Sequence, residues 1–277
     1  MKTDARRAHP DDWLAIEMLN QRVRRTTPRL WWWEEHLTCD SFIVTEHENV
    51  AVGALLAWPD ESPVAWVRLA TLDDGVDIDE WLDRALPPIF NALRRQGTQT
   101  LAWMDYDGWA GPHLRTRGFQ RLTDVVTLNK SDRTLPEVDA TDARLRPASR
   151  TDIPAVVAID RAAFTPHWWH GEATMRRRTA ASSYFAAAER AGELVAYAEG
   201  TLHPPRAHLN RIAVHPAHQR RGIGTRLLHD ALHAFWRHGV KQVTLNTQAA
   251  NLPSQRLYRH FGFKPTGDLL TAWEMRL

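Results

Sequence analysis

The stretch Gln219-Arg220-Arg221-Gly222-Ile223-Gly224 determines how the rest of this chain is interpreted. It follows a short apolar run, Arg211–Val214, and opens a segment with apolar residues at helical spacing, which predicts a strand, a glycine-rich turn and a helix. Glycines let the backbone turn tightly, and the first turn of a helix presents unpaired N–H groups at its positive end. With two arginines as further donors, the stretch predicts a site for a phosphate or pyrophosphate.

Length and composition are those of a globular protein. The chain has 277 residues and a formal net charge of +2, which predicts one large or two modest domains and no general affinity for nucleic acid. Its single cysteine, Cys39, cannot form a disulfide within the chain. No apolar run approaches the roughly 18 residues of a membrane helix, and no signal peptide is recognisable. We therefore expect a cytoplasmic protein with no membrane partner.

Two copies of one pattern follow each other along the sequence. Leu114–Phe119 matches Tyr258–Phe263, and Arg68–Thr71 parallels Arg211–Val214, at an offset near 142–146 residues. Such a repeat predicts two similar domains. A polar segment that contains a proline lies between the copies and reads as a linker. The predicted domains are 1–130 and 142–277, joined by a linker at 131–141.

Strands and helices alternate in the second copy, which predicts an α/β fold with a central sheet. The predicted strands lie at 142–147, 183–188, 193–202, 209–214 and 242–246, and two further short strands close the domain. One predicted helix begins near Ser149, and three others span 171–179, 222–238 and 254–260.

The second copy resembles the GNAT family of acetyl-CoA-dependent N-acetyltransferases over residues 142–277. Its loop at 219–224 fits the family's pyrophosphate pattern, Gln/Arg-x-x-Gly-x-Gly/Ala, and a second motif is present at Asn251, Ser254, Tyr258 and Phe261–Phe263. The resemblance implies two tandem GNAT-like domains, each with a mixed, mostly antiparallel central sheet flanked by helices. It also implies direct acetyl transfer, in a ternary complex, to a primary amine of a small molecule or peptide.

The resemblance also implies which residues bind acetyl-CoA. These residues are Ile212, Ala213, Val214, Gln219, Arg220, Arg221, Gly222, Ile223, Gly224, Thr225, Asn251, Ser254 and Tyr258. Tyr258 is the expected general acid for the departing thiolate. A main-chain N–H near Val214 is expected to polarise the thioester carbonyl. Asn251 either contacts the pantetheine arm or caps its own helix, and the two roles are compatible.

The general base and the acceptor contacts are less constrained by the sequence. His208 has a suitable ordinary pKa for a base, with Glu199 as the alternative and a purely structural histidine as the plain interpretation. His208 and Asn210 are expected on the strand face that carries Ile212 and Val214. The predicted acceptor contacts are Trp168, Trp169, Tyr197 and Asn210. The histidines that flank the tryptophan pair lack further ligands at suitable spacing, so no metal site is predicted.

The first copy departs from the family pattern where the pyrophosphate would lie. After Thr71 comes Leu72–Glu80, in which four aspartates stand in place of the arginines and would repel a pyrophosphate. Leu114 occupies the position of Tyr258. We therefore expect a degenerate first domain that does not bind coenzyme A. The competing function for the whole chain is that of a non-catalytic acyl-CoA sensor or partner-binding module. Nucleotide binding by a Rossmann or P-loop domain is set aside, because the sequence lacks the motifs of both.

Overall fold

The computed structural model describes residues 3–27, 33–61 and 63–277. The chain forms two compact units: Met1–Thr123 with Leu270–Leu277, called unit 1, and Asp124–Leu269, called unit 2. Both are α/β, as predicted. None of the helices in the described part of the chain is long and apolar enough to span a membrane.

Unit 1 has a mixed sheet with the strand order β1-β3-β4-β5-β6-β13, to which β2 adds beside β5. Its strands are β1 (Asp4–Arg7), β2 (Arg25–Thr26), β3 (Phe42–His47), β4 (Val50–Glu61), β5 (Val64–Leu72), β6 (Thr100–Asp105) and the last part of β13 (Lys264–Arg276). Its helices are α1 (Trp13–Arg22), α2 (Ile78–Arg95) and α3 (Gly111–Thr116). Only β5 and β6 pair in parallel within the described residues of this unit.

Unit 2 repeats this arrangement with the order β7-β12-β11-β10-β9-β8. Its strands are β7 (Gln120–Lys130, of which the part from Asp124 onward belongs to this unit), β8 (Arg144–Pro147), β9 (Tyr184–Arg190), β10 (Glu193–His203), β11 (Arg206–Val214) and β12 (Gln242–Gln248). Its helices are α4 (Ile153–Ala163), α5 (Glu172–Ala181), α6 (Ile223–Arg237) and α7 (Leu252–His260). These elements match the predicted ones to within a few residues.

The two units exchange their closing strands. Residues 125–130 of β7 pair antiparallel with β12 in unit 2, whereas residues 271–276 of β13 pair antiparallel with β6 in unit 1. The expectation of two short closing strands is wrong, because β13 is a single 13-residue strand. The compact units consequently differ from the continuous domains 1–130 and 142–277. No residue between Lys130 and Asp142, where the linker is predicted, lies in a helix or strand.

The strand pair β11 and β12 separates partway along its length. The two strands pair in parallel from Arg206 and Gln242 to Leu209 and Leu245, and both continue beyond that point. We call the region past this last pair the splay. Parallel strands that part in this way leave main-chain N–H and C=O groups of β11 without a strand on that side.

A β-bulge at Asn210 reverses the facing of side chains on β11. Glu199 pairs with Arg211 and Gly200 with Leu209, so Asn210 is the extra residue. Ile212 consequently packs beneath α6, whereas His208 and Arg211 lie on the opposite face, which α4 and α5 partly cover. The expectation that His208 shares a face with Ile212 and Val214 is therefore wrong, because simple strand alternation does not include the bulge.

Candidate active site

The turn from β11 into α6 leaves the first turn of that helix open. Gly222 is the N-cap residue with φ 76°, and no side chain among the described residues caps the helix there. Arg220 also has a positive φ, 60°, and both side chains of the Arg220–Arg221 pair are exposed. The Gln219 amide donates to the carbonyl of Val214 at 3.0 Å and so closes the loop. The result is an exposed turn with two arginines, a geometry that suits an anion.

The two glycines of this turn have different physical requirements. A Cβ on Gly222 would need a strained backbone and would lie 3.1 Å from Cγ2 of Thr141. A Cβ on Gly224 would meet only Val214 Cγ2 at 3.6 Å and Leu257 Cδ2 at 3.9 Å. The packing of the protein thus tolerates alanine at 224, which agrees with the Gly/Ala alternative in the family pattern. The open turn fits a pyrophosphate, and Ile223 and Thr225 contribute the next main-chain N–H groups of the same helix turn.

Tyr258 lies on α7 and is buried in the core cluster beneath α6. Its ring meets that of Phe263 edge-on at 5.9 Å. Burial raises the pKa of the Tyr258 hydroxyl to about 12, although a hydrogen bond with Ser254 lowers it. The hydroxyl therefore keeps its proton at neutral pH, as a general acid must. Asn251 caps α7 by accepting from the Ser254 N–H at 3.2 Å, so the capping role is observed.

His208 is held by a hydroxyl on the neighbouring strand. Its Nδ1 lies 2.8 Å from Oγ1 of Thr244, and this hydroxyl donates to the carbonyl of Ala207 at 3.3 Å. Because a hydroxyl has a single proton, this network assigns the imidazole proton to Nδ1. Nε2 then carries the lone pair and makes no hydrogen bond with a described residue. Burial, followed by the charge of Arg178, lowers the pKa of His208 below 6.5.

Glu199, the alternative base, is buried in an ion pair with Arg178. The residue is fully buried, and its Oε1 accepts from Nε of Arg178 at 2.9 Å and from Nη2 at 2.5 Å. The Ser182 hydroxyl donates to the carbonyl of Arg178 at 2.8 Å and lies 3.3 Å from Oε2 of Glu199. A carboxylate that is bound to a guanidinium and has no exposed surface is poorly placed to take a proton from an incoming amine. The geometry therefore favours His208 over Glu199.

Tyr197, one of the predicted acceptor contacts, is enclosed in a buried polar network. Its hydroxyl donates to Oδ1 of Asp160, and both residues have no exposed surface. Arg211 binds the same carboxylate through Nε and Nη2, each at 2.9 Å. Tyr197 therefore supports β11 from below, and the structure gives it no surface for contact with an acceptor.

The tryptophan pair is attached to this network from the loop between α4 and α5. Arg211 donates to the carbonyl of Trp168 and lies over the ring of Phe164 at 3.7 Å. The indole N–H of Trp169 donates to the carbonyl of Phe164 at 2.9 Å. Both tryptophans are half-buried, and the loop is fixed to β11 by Arg211. Asn210, the bulge residue, accepts a 3.3 Å hydrogen bond from Thr201.

Sequence reasoning missed the partners that hold the predicted residues. Thr244 is recognisable only from the parallel register of β11 and β12, because it is far from His208 in sequence. Asp160 on α4 and Arg211 on β11 form an ion pair that no local sequence pattern predicts. Within the described part of the chain, no group of three or more His, Cys, Asp or Glu residues is arranged to hold a metal ion.

Comparison with known proteins finds a family match within unit 2. Residues 153–263 match the family model described as Acetyltransferase (GNAT) family. N-alpha-acetyltransferase RimI of Mycobacterium tuberculosis (strain ATCC 25618 / H37Rv) is 36% identical over 103 residues, 36% of this chain and 63% of that protein. A Bacillus subtilis (strain 168) protein assigned as a ribosomal protein bS18-alanine N-acetyltransferase is 24% identical over 127 residues, 46% of this chain and 84% of that protein.

Two solved structures share the fold over nearly the whole chain. A GCN5-related N-acetyltransferase from Sphaerobacter thermophilus has a TM-score of 0.67 at 18% identity and covers 99% of this chain and 95% of its own. A tandem GNAT protein from the clavulanic acid biosynthesis pathway has a TM-score of 0.66 at 18% identity and covers 99% and 98%. The fold is thus that of tandem GNAT proteins, and residues 153–263 of unit 2 match the GNAT family of acetyltransferases.

Proposed function

We propose that unit 2 transfers the acetyl group of acetyl-CoA directly to a primary amine in a ternary complex. The observation that carries this proposal is the order of features along β11. His208 lies just before the splay, the free main-chain edge follows, and the open N-terminus of α6 comes after Val214. One extended ligand along this edge would have its pyrophosphate at Arg220–Gly224 and its thioester near His208.

His208 is the proposed general base. An amine with an ordinary pKa near ~10.4 is mostly protonated at pH 7, so it must lose a proton before attack. The Nδ1–H that His208 donates to Thr244 leaves Nε2 free to accept this proton. Its lowered pKa keeps the imidazole neutral at pH 7 and therefore ready to act.

Tyr258 is the proposed general acid. When the amine nitrogen bonds to the acetyl carbon, the carbon–sulfur bond breaks and the thiolate needs a proton. The Tyr258 hydroxyl, which stays protonated up to a pKa of about 12, can supply that proton. An unpaired main-chain N–H on β11 near Val214 would donate to the carbonyl oxygen as negative charge develops there.

Unit 1 is proposed to be a degenerate copy that binds no coenzyme A, and residues 131–141 are proposed to be the linker. The turn after β5 is acidic where the turn after β11 is basic. The names of the two relatives, which refer to alanine and N-alpha acetylation, support an amine acceptor for unit 2 without identifying it.

An acetyl-transfer assay tests this proposal. Full-length protein is incubated with acetyl-CoA and a panel of primary amines, and thiol release and N-acetyl product are both measured. The proposal expects amine-dependent CoA release with equal amounts of acetylated product. Micromolar CoA binding without release for any amine would instead support a non-catalytic acyl-CoA sensor.

A further inference from the structure

A cavity on the face of unit 2 that carries His208 is lined by a positively charged side chain and by no negatively charged one. It has a volume of about 490 Å³, which is the scale of a small-molecule site, and lies at the hairpin end of β10 and β11. Its lining residues are Thr201, His203, Pro205, Arg206, Ala207, His208 and Thr244. All of them belong to the described part of the chain, and none is a carboxylate.

Strand register explains how these side chains come together. Thr201 lies opposite His208 and His203 opposite Arg206 in the antiparallel pair of β10 and β11. Because side chains alternate along a strand, His208 and Arg206 lie on one face, roughly 6.8 Å apart along β11. The proposed base and the guanidinium of Arg206 therefore both line the cavity.

The positive charge in this cavity is not neutralised by the protein. Arg206 makes no ion pair with a described residue, whereas the nearby Glu199 is fully buried and bound to Arg178. A guanidinium of this kind offers paired donors to a carboxylate or phosphate. A purely cationic amine would be repelled at the same place, since nothing in the cavity lining offsets its charge.

We infer that the acceptor is a small amine that also carries an anionic oxyacid group, a carboxylate or a phosphate, which Arg206 binds while the amine faces His208. This inference rests on the proposed function of the same site. A polyamine, an aminoglycoside or a lysine side chain in a basic peptide does not fit it.

Matched acceptor pairs test the inference. β-Alanine is compared with its methyl ester, and phosphoethanolamine with ethanolamine, as acceptors for the wild-type protein, for Arg206→Gln and for Arg206→Glu. One hydrogen-bonded charge pair predicts that the wild type favours the anionic member of at least one pair by roughly tenfold in kcat/KM. The pair that shows the preference distinguishes carboxylate from phosphate. Arg206→Gln brings this ratio close to one, and Arg206→Glu reverses it.

Arg237→Gln is the charge-matched control, because Arg237 is an exposed residue at the end of α6 and does not line the cavity. Its ratio stays at the wild-type value. Equal use of both members of each pair, or a preference that survives Arg206→Gln, would overturn the inference and leave acetyl transfer standing. A wild type that prefers ethanolamine, or a basic or neutral peptide, would also overturn it. No transfer to any amine would overturn the proposed function together with the inference.

Discussion

The two units build the same strand–turn–helix element with opposite charge. After β11 the turn contains Arg220 and Arg221, and the N-cap of α6 is a glycine without a capping side chain. After β5 the turn contains three aspartates, a fourth follows in the first turn of α2, and the side chain of Asp77 caps this helix by accepting from the Glu80 N–H at 2.8 Å. One helix N-terminus is open to an external anion, and the other is already occupied by the protein's own carboxylate.

The same contrast holds for the residues proposed to do chemistry. Both units carry a bulge, at Arg68 on β5 and at Asn210 on β11, so the positions correspond at a separation of 142 residues. The pair His208 and Thr244 then corresponds to Trp66 and Ala102, which are opposite each other in β5 and β6. Unit 1 thus has apolar residues where unit 2 has the proposed base and its hydroxyl partner.

These differences indicate that the fold and the site are separable properties of the sequence. Unit 1 keeps the sheet order, the bulge and the parallel pair, all of which depend on apolar patterning and on burial. At the positions that correspond to Gly222 and His208, unit 1 lacks the two features that are costly to keep without a ligand: a helix start without a capping side chain and a half-buried histidine. A duplicated domain can therefore remain stable after its ligand contacts are lost.

The largest expected effect comes from making the basic turn resemble the acidic one. In Gly222→Glu, a carboxylate stands at the proposed pyrophosphate position, and repulsion over a few ångströms predicts a loss of CoA affinity on the order of 1,000-fold. Isothermal calorimetry with CoA measures this loss. Gly239→Glu is the control, because Gly239 also has a positive φ, 78°, but follows the other end of α6. Equal affinity in Gly222→Glu and wild type would exclude the turn as the pyrophosphate site.

The next effect concerns Tyr258, whose counterpart in unit 1 is Leu114. Tyr258→Phe removes the proton donor and is expected to lower kcat by roughly 100-fold, with little change in CoA affinity. Steady-state kinetics and calorimetry separate the two quantities. Tyr184→Phe is the control. It removes a hydroxyl that donates to Asp230 at 2.8 Å and does not lie at the splay, so this variant should retain the wild-type kcat. Full turnover by Tyr258→Phe would remove this hydroxyl from the mechanism.

A smaller effect is expected in the pH dependence of turnover. The neutral imidazole of His208 is the active form, and burial lowers its pKa below 6.5, so kcat should rise with pH up to that pKa and then level off. Below the pKa, wild-type activity falls by about tenfold per pH unit. His208→Gln, measured with the same acceptor, should be slower and lack this limb. His229→Gln is the control, since burial also lowers the pKa of His229, which lies on α6. An unchanged limb in His208→Gln would assign the base elsewhere.

The smallest effect concerns stability. Asp77→Ala removes the cap of α2 and is expected to lower the free energy of unfolding by ~1 kcal/mol without a change in CoA affinity. Urea denaturation followed by circular dichroism measures this difference. Asp74→Ala removes an equal charge from an exposed position of the same turn and should have less effect. If Asp77→Ala altered CoA affinity, the acidic turn would have a role in ligand binding.

Local chemistry made much of unit 2 predictable from the sequence. The helix that begins near Ser149, the strands at 183–188 and 193–202 and the turn at Gly222 each depend on neighbouring residues, and the structure places each within a few residues of its prediction. Long-range contacts were not predictable. The exchange of β7 and β13 depends on strand pairing between distant segments, since the repeats that end in Phe119 and Phe263 have similar patterns.

The site shows the same division between local and distant information. The turn and the helix that bears Tyr258 were predictable because each is a short motif. The facing of His208 was not, because a single inserted residue at Asn210 reverses it, and neither was the enclosure of Glu199 by Arg178. The protonation state of His208 depends on Thr244, which only the register of β12 places beside it.

The central claim is that a chain with two GNAT-like units has one working site. Calorimetric titration of the full-length protein with CoA tests this claim most directly, because the stoichiometry counts sites without regard to turnover. We predict one CoA per chain in the wild type and no measurable binding in Gly222→Glu. Two CoA per chain, or one that persists in Gly222→Glu, would contradict the assignment of the site to the basic turn after β11.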